Sequence, residues 1–324
     1  MPEPLKILVT RRWPASVERR LESMGEVTLN VTDEALSGRQ LRDALQAFDV
    51  ICPTVTDRLD SSVLQAGAVR TRLLANFGVG YNHIDITAAR RLGIAVSNTP
   101  GVLTTATAEI ALALILMTAR RTGEGERHVR GGHWPGWSPT HMLSTQVSGS
   151  VLGIVGMGRI GLALARMAFY GLGMQIVYAS RSALAESTAR EINATALPLR
   201  ELLTAADFVS LHCPATPETH HLINTETLSL MQSHAFLINT ARGDIIDENA
   251  LVTALKERQI AGAGLDVYEH EPALPGGLAA MEQVVLLPHM GSGTRQTRQA
   301  MGLRALANVE AFIQGKPLPD EVLA

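Results

Sequence analysis

Val151-Leu152-Gly153-Ile154-Val155-Gly156-Met157-Gly158-Arg159-Ile160-Gly161 runs on into Leu162-Ala163-Leu164-Ala165-Arg166-Met167-Ala168. An apolar run ends in Gly-x-Gly-x-x-Gly and passes straight into a helix-forming segment, which reads as strand, tight turn and helix start. Gly156 permits the turn, Gly158 leaves room for a pyrophosphate against bare backbone, and Gly161 lets helix and strand pack closely. The unpaired N–H groups and the positive end of the new helix then face the phosphates. Such a motif alone is weak, because glycine-rich turns are common. Its context strengthens it, since a second strand, Met174-Gln175-Ile176-Val177-Tyr178, follows at the distance of a strand–helix–strand unit.

Working outward, the chain has 324 residues, enough for two domains with real cores. Its 46% apolar and 18% charged residues are ordinary for a globular protein. A net charge of −3 and a pI near 6.4 supply no basic field, which argues against a nucleic-acid partner. Residues 1–6 lack the charged-then-apolar layout of a signal segment. The longest apolar run, 110–117, is far short of a membrane span. Cys52 and Cys213 fall near the ends of strand-like runs and read as buried thiols, with neither a disulfide scaffold nor a metal cluster indicated. A cytoplasmic location is the expectation.

Residues 1–98 repeat a strand-then-helix rhythm. Strands are predicted at 7–10, 27–31, 50–54, 73–77 and 95–97, and amphipathic helices at 15–24, 38–48, 61–66 and 85–92. Alternation of this kind predicts α/β architecture, a parallel sheet covered on both faces. Residues 104–121 form a helix apolar nearly all round, which must be buried on several sides and is expected between domains or at a subunit contact. Residues 123–150 show little periodicity. Trp134 and Trp137 within them are expected to pack on a neighbour. From 151 strands are predicted at 152–155, 175–178, 208–211, 235–239, 261–265 and 284–287, followed by a tail helix at 302–313.

Open parallel sheets bind ligands outside the carboxyl ends of their strands. After Leu211 come His212-Cys213-Pro214, and after Asn239 come Thr240-Ala241-Arg242-Gly243-Asp244. Leu265 is followed by Asp266-Val267-Tyr268-Glu269-His270-Glu271-Pro272, and Leu287 by Pro288-His289-Met290-Gly291. All these ends share one rim with the glycine loop. An arginine can clamp a carboxylate and polarise the adjacent carbonyl. A histidine can give a proton to a forming alkoxide near neutral pH, and a paired carboxylate favours its imidazolium form. Singly, Arg242 is also readable as a surface cation, His289 as a loop histidine and Glu271 as a charge before Pro272. Jointly, at successive strand ends, they point to hydride transfer to a carbonyl.

These residues resemble the NAD(P)-dependent D-isomer-specific 2-hydroxyacid dehydrogenases, nearest the glyoxylate/hydroxypyruvate reductase branch. The likeness is carried by Gly78-Val79-Gly80-Tyr81-Asn82-His83-Ile84-Asp85, Asn98-Thr99-Pro100-Gly101, Ala108-Glu109, the glycine loop, His212-Cys213-Pro214, Asn239-Thr240-Ala241-Arg242-Gly243, Gly264-Leu265-Asp266-Val267-Tyr268-x-x-Glu271-Pro272 and Pro288-His289. It implies two Rossmann-like doubly wound domains: a dinucleotide-binding domain (100–288) inserted in a flavodoxin-like substrate domain (1–99 and 289–324). It implies Arg242, Glu271 and His289 as the catalytic set, with Glu269 the rival partner for His289. Val55 in the loop 53–56, Gly78, the backbone of Val79 and Gly80, Arg242 and His289 would hold the substrate. Cofactor contacts are implied for Gly156, Met157, Gly158, Arg159, Ile160, Gly161, His212, Pro214, Thr240, Ala241, Arg242, His289 and Gly291, with Asp266 near the nicotinamide carboxamide. Asn82 stands where many relatives carry Asp. A homodimer is implied, in which the Trp134/Trp137 stretch reaches toward the partner's site or else packs on its own domain.

A carboxylate at the end of the second strand would bond a ribose 2′-OH and repel a 2′-phosphate. No acid occurs between Gln175 and Glu186. Ser180, Arg181 and Ser182 stand there instead and suit a 2′-phosphate, so NADPH is expected over NADH. If Arg181 merely stacks on adenine, both cofactors serve. The leading expectation is a reductase of small 2-ketoacids such as glyoxylate or hydroxypyruvate. Alternatives are a phosphoglycerate-type or other 2-hydroxyacid dehydrogenase, a formate dehydrogenase, and a non-catalytic dinucleotide sensor of the same fold. The Glu–His pair argues against formate oxidation, which transfers no proton. Against the phosphoglycerate type, no C-terminal regulatory domain follows Ala324 and the substrate loop has no lysine to meet a phosphate.

Overall fold

A computed structural model describes residues 4–65 and 67–323, so position 66 of the predicted helix 61–66 and the termini 1–3 and 324 lie outside the described residues. The chain divides into two compact units, Met1–Leu103 with Ser292–Ala324, and Thr104–Gly291. The divisions fall a few residues beyond the 99/100 and 288/289 boundaries expected from sequence, which puts His289 in the second unit.

The first unit is built from β1 (Lys6–Val9), α1 (Ala15–Glu22), β2 (Glu26–Leu29), α2 (Gly38–Ala47), β3 (Val50–Cys52), α3 (Ser61–Leu64), β4 (Leu73–Ala75), α4 (Ile86–Arg91) and β5 (Ala95–Ser97). Its five strands are parallel in the order β2-β1-β3-β4-β5, the flavodoxin-like arrangement. Side-chain caps set several helix starts. Ser37 and Gln40 form a reciprocal capping box before α2, and Asp85 accepts the Ala88 N–H before α4. The C-terminal helix Arg295–Ile313 belongs to this unit and packs on α1 and β4. It begins seven residues before the expected 302, because Thr294 caps it by accepting the Thr297 N–H.

The second unit continues with α5 (Thr104–Ala119), α6 (Thr122–Arg130), β6 (Val151–Val155), α7 (Arg159–Leu172), β7 (Gln175–Ala179), α8 (Glu186–Glu191), β8 (Thr195–Ala196), α9 (Leu199–Ala205), β9 (Phe208–Leu211), α10 (Thr225–Leu228), β10 (Phe236–Asn239), α11 (Glu248–Lys256), β11 (Gly262–Leu265) and β12 (Val284–Leu286). Its strands are parallel in the order β12-β11-β10-β9-β6-β7-β8. Counted from β6, this is the Rossmann order with one added edge strand, and the direction of winding reverses between β6 and β9. The central strands β9, β10 and β11 are buried along their whole length. One core cluster, around Leu202, Leu251 and Leu255, covers one side, and another, around Leu114, Ile115 and Leu164, covers the other.

The apolar helix α5 lies within the second unit, on β10, β11 and α7, where Leu114 and Thr118 crowd the bare Cα of Gly264. The stretch after it is not wholly irregular, since α6 spans Thr122–Arg130. Two glycines lower its propensity and no residue of it is buried, so no periodicity marks it; Arg121–Glu124 and Arg130–Glu126 pairs support it instead. Trp134 is 53% and Trp137 82% exposed on the single chain, so much of both rings is left for a neighbour. Both cysteines are free; Cys52 is buried, which pushes its thiol up to about 12, while Cys213 is only partly buried. No described helix is long and apolar enough to cross a membrane.

The close packing expected at Gly161 is real, because a Cβ there would lie 2.5 Å from the Gly156 carbonyl oxygen and 3.0 Å from Ile154 Cγ2. Gly161→Ala is expected to destabilise the protein by about 1–3 kcal/mol through overpacking against backbone, read as a lower urea midpoint at unchanged slope.

Candidate active site

The glycine loop opens at the β6 end, at the switch point. Gly156 takes φ +96, and a Cβ on it would strike the Cys213 N–H at 2.4 Å, so only glycine lets the first and fourth strands' loops touch. Gly158 is the N-cap of α7, and a Cβ there would meet nothing within 4 Å, which is the open space a pyrophosphate requires. The first-turn N–H groups of α7 face that space. Met157 itself is buried in the core, so its backbone alone is available to a ligand, while Arg159 is exposed and Ile160 half-buried.

Past β7, Ser180, Arg181 and Ser182 are all exposed and no carboxylate stands among them. The Arg181 charge favours the ionised forms of Cys213 and Glu218, both in the loop after β9. In that loop His212 bonds Ser210 Oγ through Nε2 at 2.9 Å. Its buried Nδ1 has no partner among the described residues, and burial pulls its pKa down to about 4, so the ring is neutral. The Thr240 hydroxyl is likewise buried and unpartnered. Orphaned polar atoms around an open glycine loop fit a dinucleotide that would supply their bonds.

Beyond β10, the buried Asn239 side chain accepts the Ala241 N–H at 3.0 Å and donates to the Arg242 carbonyl at 2.8 Å, shaping the turn that presents Arg242. The half-buried Arg242 donates from Nη1 to the Ala241 carbonyl at 2.7 Å. Burial lowers its guanidinium pKa, and Glu271 and Asp244 oppose that shift. Gly243 is what brings this turn against the next: a Cβ there would lie 1.9 Å from the Tyr268 carbonyl carbon.

Beyond β11, Glu271 accepts the Tyr268 N–H through Oε1 at 3.1 Å and meets His289 Nδ1 through Oε2 at 2.8 Å. Burial pulls its carboxyl upward, but the bond and charge of His289 outweigh burial and leave it below the usual range. An ionised carboxylate only accepts, so Nδ1 carries the hydrogen and Nε2 is the free end of the ring. Glu269 is engaged elsewhere, at 3.1 Å from His221 Nε2, so Glu271 is the partner of His289. Asp266, buried, accepts the N–H groups of Met290 and Gly291, each at 2.7 Å, and burial raises its carboxyl. Arg242, Glu271 and His289 are therefore brought together, with His289 bonded to the Glu271 carboxylate and the Arg242 charge acting on it through space. Pro214 is exposed on the same rim.

In the first unit, the β3 end leads into a turn built on the buried Asp57, which accepts the Thr10 hydroxyl at 2.6 Å and the Thr54 N–H at 2.7 Å. Val55, partly exposed, lies against Gly78, whose Cβ would stand 3.6 Å from Val55 Cγ1. Gly78, Val79 and Gly80 follow β4.

Sequence reasoning passed over the supporting residues. His221 and Glu248, which accepts the Glu269 N–H at 3.0 Å, act through other loops and carry no local pattern that marks them; Asn239 lies in the family-like stretch 239–243, but nothing local marks its side chain as the support of the Arg242 turn. His220, His221 and Glu269 bring three ligand atoms within 4.8 Å of one another. The two imidazoles stack at 4.0 Å and 26°, so an ion in the plane of one ring stands well out of the plane of the other.

Residues 112–291 match the family model for the NAD binding domain of D-isomer specific 2-hydroxyacid dehydrogenases. A glyoxylate reductase of Thermococcus litoralis is 43% identical over 321 residues, covering 98% of this chain and 96% of the relative. Among solved structures, a glyoxylate reductase from Paecilomyes thermophila superposes with a TM-score of 0.87 at 31% identity, covering 99% of both chains. An NADPH-dependent glyoxylate/hydroxypyruvate reductase from Sinorhizobium meliloti, in complex with NADP and malonate, has a TM-score of 0.87 at 34% identity, covering 98% of this chain and 96% of that one. With the Rossmann order, the open glycine loop and this likeness along almost its whole length, the chain belongs to the D-isomer specific 2-hydroxyacid dehydrogenase family and is an NAD(P)-dependent oxidoreductase.

Proposed function

We propose that the protein reduces small 2-ketoacids, glyoxylate and hydroxypyruvate, to 2-hydroxyacids at the expense of NADPH, with His289 as proton donor. The single observation that carries this reading is the 2.8 Å bond between His289 Nδ1 and Glu271, beside the half-buried Arg242. The glyoxylate reductases at 43% identity support the substrate class. The second unit would hold the dinucleotide and the first the substrate.

When bound, the reduced nicotinamide supplies the hydride for the ketone carbon. Arg242 clamps the substrate carboxylate and polarises the ketone oxygen. His289 gives its Nε2 proton to the forming alkoxide, and Glu271 holds the ring in place and favours its charged form. Asp266 keeps the turn carrying His289 rigid and retains lone pairs for the cofactor's carboxamide. Backbone N–H groups at Val79 and Gly80 take the carboxylate, with Val55 beside them. The 2′-phosphate is read by Arg181 with Ser180 and Ser182; the absence of a nearby acid and the NADPH-dependent relative support this. NADH binds more weakly.

The active form is a homodimer in the cytoplasm. Val129, Trp134, Trp137 and Leu143 stay exposed, and Ile110, Leu116 and Met117 on α5 stay half-exposed, an apolar set that a second copy would cover. The two unpaired thiols accord with a reducing compartment.

His289→Ala should lower kcat by about 10²–10⁴ while NADPH affinity is nearly unchanged; steady-state assay with glyoxylate and cofactor titration by fluorescence check this, and a near wild-type rate removes His289 from the mechanism. Arg181→Ala should weaken NADPH by roughly 10- to 100-fold per lost charge-assisted bond and leave NADH almost unaffected, measured as the two KM values. Glu271→Gln should lower kcat with NADPH affinity nearly unchanged, because a neutral amide replaces the carboxylate that holds the imidazole, and the same steady-state assay checks this. The same carboxyl, lowered on folding, contributes stability above the ordinary carboxylate range that is lost as pH falls through its lowered value. The stability gap between wild type and Glu271→Gln, read from urea melts, should therefore close in acid.

A further inference from the structure

The loop after β4 has an ordering device of its own. Asn76 is fully buried at the β4 end. Its Nδ2 donates to two carbonyls of the loop, Gly78 at 3.1 Å and Gly80 at 3.0 Å. The carbonyl between them, that of Val79, accepts from Asn98 Nδ2 at 2.8 Å, and the Gly78 carbonyl also accepts the Thr99 N–H at 3.0 Å. All three carbonyls are thus tied back into the protein. The N–H groups of Val79, Gly80 and Tyr81, by contrast, meet no acceptor among the described residues.

A trans peptide is planar, with its C=O and N–H on opposite sides. Tying the Gly78 carbonyl therefore fixes the direction of the Val79 N–H, and tying the Gly80 carbonyl fixes that of the Tyr81 N–H. One amide group sets both, and it points them away from itself. Asn76 in turn has only one workable orientation. Two carbonyls demand the NH₂ end, so Oδ1 faces His83, whose Nε2 stands 3.1 Å away. An amide oxygen only accepts, hence His83 carries its hydrogen on Nε2.

We infer that Asn76, locked by His83, is a positioning residue for the substrate carboxylate: it holds the peptide planes of the loop so that their free N–H groups are pre-aimed at the anion. This rests on the proposed reading of the loop as the carboxylate site. A loop whose amides are already oriented spends no binding energy on reorganisation. Neither Asn76 nor His83 touches the substrate; they act through backbone alone. The effect therefore falls on ketoacid affinity, with little on the rate of the chemical step or on cofactor binding.

The test uses the full chain saturated with NADPH and oxalate as a non-reactive two-carbon mimic. In wild type, oxalate should slow hydrogen exchange of the amides at 79–81. No slowing overturns the carboxylate reading of the loop, and this inference with it. Given that protection, Asn76→Ala and His83→Phe should each raise the oxalate Kd and the glyoxylate KM, by about tenfold or more for Asn76→Ala, with kcat within about threefold and NADPH affinity unchanged. His83→Gln, which keeps an N–H donor, should restore most of the loss that His83→Phe causes. Wild-type oxalate affinity in Asn76→Ala and His83→Phe overturns the inference while the carboxylate reading stands. So does a fall in kcat and NADPH affinity equal to the change in KM, which marks a merely structural residue. If Asn76→Ala fails to fold, the His83 pair decides.

Discussion

The carboxylate of Asp266 is the pin of the second unit's rim. Buried at the end of β11, it spans the N–H groups of Met290 and Gly291 with its two oxygens and so fixes the turn after β12. His289 sits in that turn at φ +53, a left-handed conformation that a histidine does not hold without support. Two 2.7 Å bonds accepted by the buried Asp266 carboxyl provide it; burial raises that carboxyl and the two N–H donors pull it back down in part. The direction of the imidazole, and with it the Glu271 contact, depends on this clamp.

Around the pin, loops from separate strands meet by direct backbone contact. Gly243 lets the turn after β10 lie on the Tyr268–Glu269 peptide, and Gly156 lets the turn after β6 lie on His212–Cys213. The Glu269–His221 and Glu269–Glu248 bonds hold the loop that carries Glu271. Electrostatics follows from that packing. Burial pushes the Glu271 carboxyl up, and the His289 bond and charge, the Tyr268 N–H and the Arg242 charge together bring it below the usual range. The first unit shows the same economy on a smaller scale, with Asp57 and Asn76 as buried side chains that shape exposed loops.

Much of the fold was legible because its signals are local. Strand–helix alternation, the glycine loop and the charged and imidazole side chains at strand ends all appear within short windows. The misses share a physical cause. Helix α6 carries two glycines and buries nothing, so neither propensity nor periodicity reveals it. The C-terminal helix starts early on a Thr294 cap that an apolar pattern does not show. Trp134 and Trp137 looked destined for burial from their chemistry, yet whether a neighbour covers them is not a property of the local segment. Glu271 rather than Glu269 was favoured by the family spacing, and the structure agrees, with Glu271 on His289 and Glu269 on His221.

The amino-acid sequence alone determined the parallel α/β class, the dinucleotide loop and the arginine, acids and histidine that follow the strand ends, since periodicity, turn chemistry and residue type are written along the chain. Only the tertiary structure decided what Glu269 binds, which amides orient the loops, and which polar atoms among the described residues are left without a partner. Those are contacts between residues tens to hundreds of positions apart, set by strand order and by the depth of each loop in the packed sheet.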